Sequence, residues 1–253
     1  MTISGIGIHS GQAATVTLTS AAAGEGIVFF TPQGPVPARA ENVIETLRCT
    51  VLGKGEARVS TVEHLLSACA GLGITDLRVE VDGPELPILD GSALAWTKLL
   101  SPQPLVLHPL RQPLLATGKG GSFIACYPAE RLCVTVALCF EHRLVGTQVA
   151  RFVEGDDYTT QIAPARTFGF IEEVQKLLDA GLAKGGSLDN AVIVYPDRYE
   201  PALRFEDELA RHKLLDLLGD LFLAGFLPKA DIIAVKPSHT LNTQLAAKLA
   251  ALS

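Results

Sequence analysis

Along Arg211-His212-Lys213-Leu214-Leu215-Asp216-Leu217-Leu218-Gly219-Asp220, ionisable side chains recur at intervals of four. In a helix that spacing puts His212, Asp216 and Asp220 on one face, a polar stripe in a segment otherwise filled with leucine. Burying such groups unpaired costs roughly 2–7 kcal/mol each. The stripe is therefore either a solvated His/Asp pair on a surface helix or is held by a partner, such as a metal ion with a third ligand from elsewhere. Glu63-His64 offers that ligand. Ser60-Thr61-Val62-Glu63 also reads as a capping box, with Ser60 at the N-cap and Glu63 at N3, and His64 alone reads equally as a core histidine. Two histidines and an aspartate match the three protein ligands of a catalytic zinc site, which leaves one position for water. The HExxH spacing is absent, which excludes an ordinary zincin. His239, in Lys236-Pro237-Ser238-His239-Thr240-Leu241-Asn242, is either a loop histidine or one presented by a strand end. His9, His108 and His142 have no spacing partner and read as structural. Gly5-Ile6-Gly7 and Gly118-Lys119-Gly120-Gly121 read as turns, since neither carries a P-loop or dinucleotide pattern.

The elements that must position these groups alternate between two periods. Ala13 to Ser20 and Leu77 to Val81 alternate as half-buried strands, and Gly24 to Phe30 continues the strand-rich pattern. Val59 to Ala70 has helical spacing, stopped by Gly71 and Gly73, and a short helix runs through Trp96 to Leu100. Pro102, Pro104 and Pro109 mark Ser101 to Pro109 as a linker. Beyond it, Ser122 to Cys126 and Leu132 to Phe140 read as paired strands, Phe170 to Ala180 as a helix, and Ala191 to Tyr195 as a strand. Glu206 to Ala224 is the longest predicted helix, acidic at its start and stopped by Gly225 and Pro228. Asp231 to Lys236 is a β-branched strand, and a helix follows it. Glu63-His64 and Arg211-His212 each sit on a helix that ends in glycine and precedes a strand, a loose internal echo. Helices and strands without strict βαβ alternation favour α+β.

Composition narrows the function classes. The chain has 253 residues, 48% hydrophobic and 19% charged, enough to bury a core in one or two domains. A net charge of −6 argues against nonspecific nucleic-acid binding, and no basic cluster marks a membrane dock. No apolar run approaches the roughly 18 residues needed to span a bilayer. Met1 to Gly5 lacks the basic head and apolar body of a signal peptide, and the five cysteines form no C-x-x-C pair. The expectation is a cytoplasmic protein with reduced thiols that are not the obvious metal ligands.

Taken together, these segments resemble the UDP-3-O-acyl-N-acetylglucosamine deacetylases nearly end to end. The resemblance runs through Ser4-Gly5-Ile6-Gly7-Ile8-His9-Ser10-Gly11, Val59-Ser60-Thr61-Val62-Glu63-His64-Leu65 and Val81-Asp82-Gly83-Pro84-Glu85-Leu86-Pro87. It continues in Ala165-Arg166-Thr167-Phe168-Gly169-Phe170, Gly185-Gly186-Ser187-Leu188-Asp189-Asn190, the helix from Arg211 to Asp220, and Ser238-His239-Thr240-Leu241-Asn242. It implies two similar α+β domains, 1–103 and 104–253, each a small sheet with helices, the helices packed between the two sheets. It implies one catalytic zinc ion on His64, His212 and Asp216, with Glu63 as general base and His239 as the protonated partner. Asp220 would hold His239, Thr167 would donate toward the oxyanion, and Lys213 would contact substrate. Phe168 and the apolar positions after it would line a passage for the 3-O-acyl chain. The implied substrate is a UDP-sugar lipid precursor of lipid A synthesis, with no nucleic-acid partner, no stable membrane insertion and a monomeric state. Two rivals stay open: a zinc deacetylase of another N-acetyl sugar, and a non-catalytic relative that binds a nucleotide-sugar. Three departures are visible: an N-terminal strand cut short, a trimmed stretch around Ser101 to Ser122, and Arg48 where the family commonly has an apolar residue near the site.

Overall fold

The computed structural model describes residues 1–252. Strands β1 (Thr2–Ile6), β2 (Ala13–Ser20), β3 (Ile27–Thr31) and β4 (Gly34–Pro37) open the chain. A small antiparallel sheet follows, built from β5 (Val43–Glu45), β6 (Val51–Lys54) and β7 (Ala57–Ser60). Helix α1 (Glu63–Gly71) then leads into β8 (Leu77–Val81), with α2 (Leu94–Thr97) after it. The second half has β9 (Leu107–Pro109), β10 (Leu114–Thr117), β11 (Phe123–Pro128), β12 (Cys133–Cys139) and β13 (Thr147–Val153). Its insert comprises the short helix α3 (Tyr158–Gln161), β14 (Phe168–Phe170), α4 (Ile171–Asp179), β15 (Val192–Val194) and β16 (Tyr199–Glu200). Helix α5 (Glu208–Leu221), strand β17 (Leu227–Val235) and helix α6 (His239–Ala250) complete it.

The first sheet runs β1-β2-β8-β3-β4, with β8 antiparallel to β2 and parallel to β3. The second runs β10-β11-β17-β12-β13, with β17 antiparallel to β11 and parallel to β12. Strand order and sense are the same in both, and each central strand arrives from a long helix, α1 or α5. The echo heard in the sequence is therefore a repeat of topology.

Period-two burial gives each sheet one inward face. Leu77, Val79 and Val81 are buried in β8 while Arg78 and Glu80 are exposed, and Ala230, Ile232 and Ala234 are buried in β17. Helices α1 and α5 show no such sidedness. Every residue of α1 from Glu63 to Ala70 is buried, as is all of α5 except Arg211 and Lys213. Helices covered on all sides lie between layers, and one core joins Phe29 and Val79 of the first sheet to Val134 and Ile232 of the second through Leu65, Leu66, Leu214 and Leu215. Each such side chain stabilises the fold by about 1.5–3 kcal/mol. Gly219 sets how close the helices come: a Cβ there would lie 2.1 Å from the Glu63 carbonyl oxygen. Any larger residue would push α5 away from α1, and with it the groups the two helices carry.

Several local expectations are corrected. Ser122 to Cys126 and Leu132 to Phe140 do form strands, but β17 lies between them and pairs with both. A central strand satisfies its backbone groups on two sides, and four residues, 129–132, suffice to cross over it. Pro228 does not stop a helix. Gly225, left-handed at φ 90°, ends the helical segment, and Pro228 lies at the start of β17 opposite His108 of β9, where a missing N–H is tolerated. Leu107–Pro109 of the expected linker thus belong to the second sheet. Strand β1 spans Thr2–Ile6 and pairs along its length with β2, so it is not one of the corrected elements. The helix expected from Val59 begins at Glu63, because Ala57–Ser60 pair as β7 and Thr61 turns the chain at φ 58°. Ser60 is consequently no N-cap: the capping position is Val62, and no side chain bonds there. Among the described residues no helix is long and apolar enough to cross a membrane.

Candidate catalytic and metal-binding site

The stripe on α5 is longer than its chemistry first suggests, because Glu208 begins it one turn before His212. Buried Glu208 holds Arg166 through Oε1 to Nε at 2.8 Å and Oε2 to Nη2 at 3.0 Å, and also accepts the Arg166 backbone N–H at 3.0 Å. Burial pushes the Glu208 carboxyl up, but the Arg166 contacts outweigh it and hold it below the usual range. This fixes the segment beside α5. Ala165 in that segment offers its carbonyl to His212 Nδ1 at 3.1 Å, so Nδ1 carries the proton and Nε2 is left with its lone pair.

His212 Nε2 lies 3.4 Å from Asp216 Oδ1, and His64 Nε2, from α1, lies 3.7 Å from the same oxygen. Ligand atoms of the three residues all fall within 4.8 Å of one another, and all three side chains are buried. Lys213 Nζ donates to Asp216 Oδ2 at 2.7 Å, whereas Asp216 Oδ1 faces the imidazoles with no hydrogen bond of its own. Burial lowers both histidines, and the neighbouring His212 charge lowers His64 further, to about 3. Asp216 is held well below the carboxylate range: burial opposes this, but His212 and Lys213 outweigh it. Two neutral imidazoles and an ionised, orphaned carboxylate oxygen are what a borderline divalent cation requires. The residues fit a metal ion.

Glu63 and His239 face each other beside this set, Oε1 to Nε2 at 4.0 Å, and His239 Nε2 is 3.9 Å from Asp216 Oδ2. Asp220 Oδ2 accepts from His239 Nδ1 at 2.8 Å. Burial alone would lower His239, but the Asp220 charge and hydrogen bond, with Glu63 and Asp216, raise it to about 9. Burial raises Glu63 to about 8, opposed by His239 and reinforced by Asp220 and Asp216. The two lie close enough to titrate as a coupled pair, in the range where acid–base catalysts work. Freed from capping, Glu63 accepts the Thr50 backbone N–H on Oε2 at 3.1 Å.

Thr167 and Phe168 line a cavity of about 350 Å³ that also reaches Glu63 and His64. Phe168 meets the His212 ring edge-on at 6.3 Å, and Lys213 Nζ sits 5.7 Å from the Phe168 ring centroid. Farther out, Ile171, Val174, Leu177 and Leu178 of α4 form an apolar wall. Phe170 is a correction to the expected lining: it does not line the cavity and packs on Phe140 and His142 at 4.9 and 5.5 Å. Two residues apart in a strand, Phe168 and Phe170 share a face and meet edge-on at 6.3 Å, but only Phe168 reaches the cavity, while Phe170 lies farther along against Phe140.

The structure thus brings together every residue singled out for the site, and adds two the sequence reading missed. His9 lines the cavity, its Nδ1 buried without a hydrogen bond and its backbone N–H held by Glu85. Its signal was a glycine-flanked loop, which by itself reads as a turn. Thr50 is fully buried against Asp220, with no local pattern to mark it.

Neutral imidazoles and a buried carboxylate, beside an acid–base pair at the inner end of an apolar cavity, are the parts of a hydrolytic metalloenzyme. The family model described as LpxC, UDP-3-O-acyl N-acetylglycosamine deacetylase, matches residues 1–251. A UDP-3-O-acyl-N-acetylglucosamine deacetylase of Synechocystis sp. is 42% identical over 99% of this chain and 96% of its own length. Namesakes from Thermosynechococcus vestitus and Anaeromyxobacter dehalogenans are 42% and 41% identical over 98% of this chain, and 90% and 84% of theirs. The chain belongs to the UDP-3-O-acyl-N-acetylglucosamine deacetylase family, metalloenzymes of lipid A biosynthesis.

Proposed function

We propose that this chain hydrolyses the N-acetyl group of UDP-3-O-(3-hydroxyacyl)-N-acetylglucosamine, giving the free amine and acetate. The observation that carries this is the convergence of His64, His212 and Asp216 beside Glu63 and His239, at the end of an apolar cavity. His64 Nε2, His212 Nε2 and Asp216 Oδ1 would hold one zinc ion. When bound, that ion supplies Lewis acidity toward a carbonyl and lowers the pKa of water. Glu63 takes a proton from the attacking water as a C–O bond forms at the acetamide carbon. His239 gives its Nε2 proton to the nitrogen as the C–N bond breaks, and the proton gained by Glu63 balances the one His239 gives up. Asp220 keeps His239 oriented and charged. Thr167 donates its hydroxyl toward the oxyanion, Lys213 contacts the substrate, and Phe168 begins the wall along which the acyl chain lies.

We also read the chain as a cytoplasmic monomer that divides into domains 1–103 and 104–253, with a site made at their seam. Acetate release by purified protein from UDP-3-O-acyl-N-acetylglucosamine and from UDP-N-acetylglucosamine tests the assignment. Turnover of the acylated substrate alone, lost to a chelator and restored by limited zinc, is the expected result. Equal turnover of both would make the chain a general sugar deacetylase. Binding of both without acetate release would make it a non-catalytic relative.

A further inference from the structure

Thr50 lies between β5 and β6, just after Arg48 turns the chain at φ 68°. It is fully buried, and its backbone N–H and its hydroxyl both meet residues assigned to the chemistry. Its backbone N–H donates to Glu63 Oε2 at 3.1 Å, and its carbonyl accepts a long 3.5 Å bond from Val62 at the head of α1. Its hydroxyl donates to Asp220 Oδ1 at 2.5 Å and lies 3.3 Å from His239 Nδ1. One residue of the first half's insert therefore touches the base through its backbone and the acid's partner through its side chain.

The division of labour on Asp220 makes the hydroxyl matter. Oδ2 receives His239 Nδ1 at 2.8 Å and Asn242 Nδ2 at 2.9 Å, both from α6. Oδ1 receives Thr50. The terminal torsion of an aspartate is broad, so a carboxylate held at one oxygen swings easily. A second donor on the other oxygen, from a different element, pins its plane and so the direction in which it holds the imidazole. Threonine also brings a β-branch that restricts the torsion carrying the hydroxyl, which serine lacks. We infer that Thr50 is a positioning residue for the deacetylation, fixing the Asp220 carboxylate and through it the aim of His239 toward the leaving nitrogen. This rests on the acid–base roles proposed above.

The test is a double-mutant cycle between Thr50→Val and Asp220→Ala, read as kcat, KM and bound metal on the acylated substrate. Valine keeps the branched shape and the backbone N–H to Glu63 and removes only the donor. Losing a hydrogen bond to a charged group, with the small misaim that follows, lowers kcat by about tenfold in the otherwise native protein. KM and bound metal should stay within about twofold, because the loss concerns aim and not binding. In the Asp220→Ala background the same change should cost less than about twofold, since no carboxylate remains to be pinned. Thr50→Ser should recover kcat to within about threefold of native. A general loosening of the fold would lower kcat equally in both backgrounds and would overturn the inference. So would Thr50→Val at native kcat, or a serine variant no better than valine. If Thr50→Val does not fold, Thr50→Ala enters the same cycle with the same criteria. A native protein that releases no acetate would instead overturn the proposed function. An impaired Asp220→Ala with an additive Thr50 effect would leave that function standing and sink only this inference.

Discussion

The two halves share one strand order but contribute to the site unequally. From the first come the adjacent Glu63 and His64 at the start of α1, with Thr50 from its insert. From the second come His212, Asp216 and Asp220 on successive turns of α5 and His239 at the start of α6. The inserts differ more sharply still. The β5–β7 insert sends a buried threonine inward, whereas the β14–β16 insert carries α4, none of whose residues is buried and whose apolar side lines the cavity. Repeating a fold supplied two sheets and two helices that meet through Gly219. The chemistry lies in what differs between the copies: polar side chains at the seam, and an apolar wall on one side of it.

The strongest way to break this picture is to remove one proposed metal ligand from each half. His64→Ala and His212→Ala should each lose the bound metal and lower activity by about 10³-fold or more, as expected when several kcal/mol of charge stabilisation disappear. Metal content by atomic absorption decides the point. Full metal in either variant would mean that the site is not shared.

What could be read in advance follows the range of the signal. The α5 stripe was legible because a period of four is local and because leucine everywhere else made its polar members conspicuous. Glu63 is legible as a chemical residue, but the capping it also suggests is not formed: nothing in Ser60-Thr61-Val62-Glu63 reveals that Ser60 is committed to β7. The strand exchange that puts β17 between β11 and β12 is a long-range pairing, invisible to local alternation. Thr50 and Asp220 are 170 residues apart and meet only once two halves have folded, so no spacing marks them. Long-range sheet order and the donors to buried carboxylates lay beyond the sequence, and the periodic helix faces did not.

The next effect in size separates the acid from the base. Glu63→Ala and His239→Ala should keep their metal and lose about 10²–10⁴-fold in kcat. The pH profile of kcat/KM should fall on the basic side near 9, where His239 loses its proton. The sign follows from the charge: the protonated imidazole is the competent form, so activity holds below its pKa and declines above it. Asp220→Asn removes the anionic partner that raised this value, so the limb should move to lower pH by about one unit or more. An unmoved limb would remove Asp220 from the account.

A smaller, graded effect tests the apolar wall of the second insert. Each methylene of the 3-O-acyl chain seated on it is worth about 0.8 kcal/mol, so four should change kcat/KM by over a hundredfold. Part of that should appear in kcat, because remote binding also holds the acetamide in place. Kinetics on substrates of increasing chain length give the slope directly. Phe168→Ala, at the inner end of the wall, should flatten it, and an unchanged slope would put the chain elsewhere.

The smallest effect belongs to the ion pair that joins the two inserts. Arg48 Nη2 reaches Glu173 Oε2 at 2.9 Å, from the turn before Thr50 to the first turn of α4. Both partners are nearly half exposed, at 45% and 41%, so water and salt screen the attraction. Such pairs are worth about 0.2–1 kcal/mol, which caps the consequence of removing one at about fivefold. Yet α4 has no buried residue, so a weak tie can still bias where its cavity side sits. Arg48→Leu should therefore raise KM for the acylated substrate by no more than about fivefold and leave kcat unchanged. Raising the salt to about 1 M, where the screening length shrinks to roughly 3 Å, should move the native KM toward that of the variant and leave the variant's own KM flat. Exchanging the charges, Arg48→Glu with Glu173→Arg, should restore most of the native KM. A loss beyond about tenfold in Arg48→Leu, unrescued by the exchange, would instead mean that Arg48 touches the substrate itself. The first half's insert would then do more at the cavity mouth than steady the second.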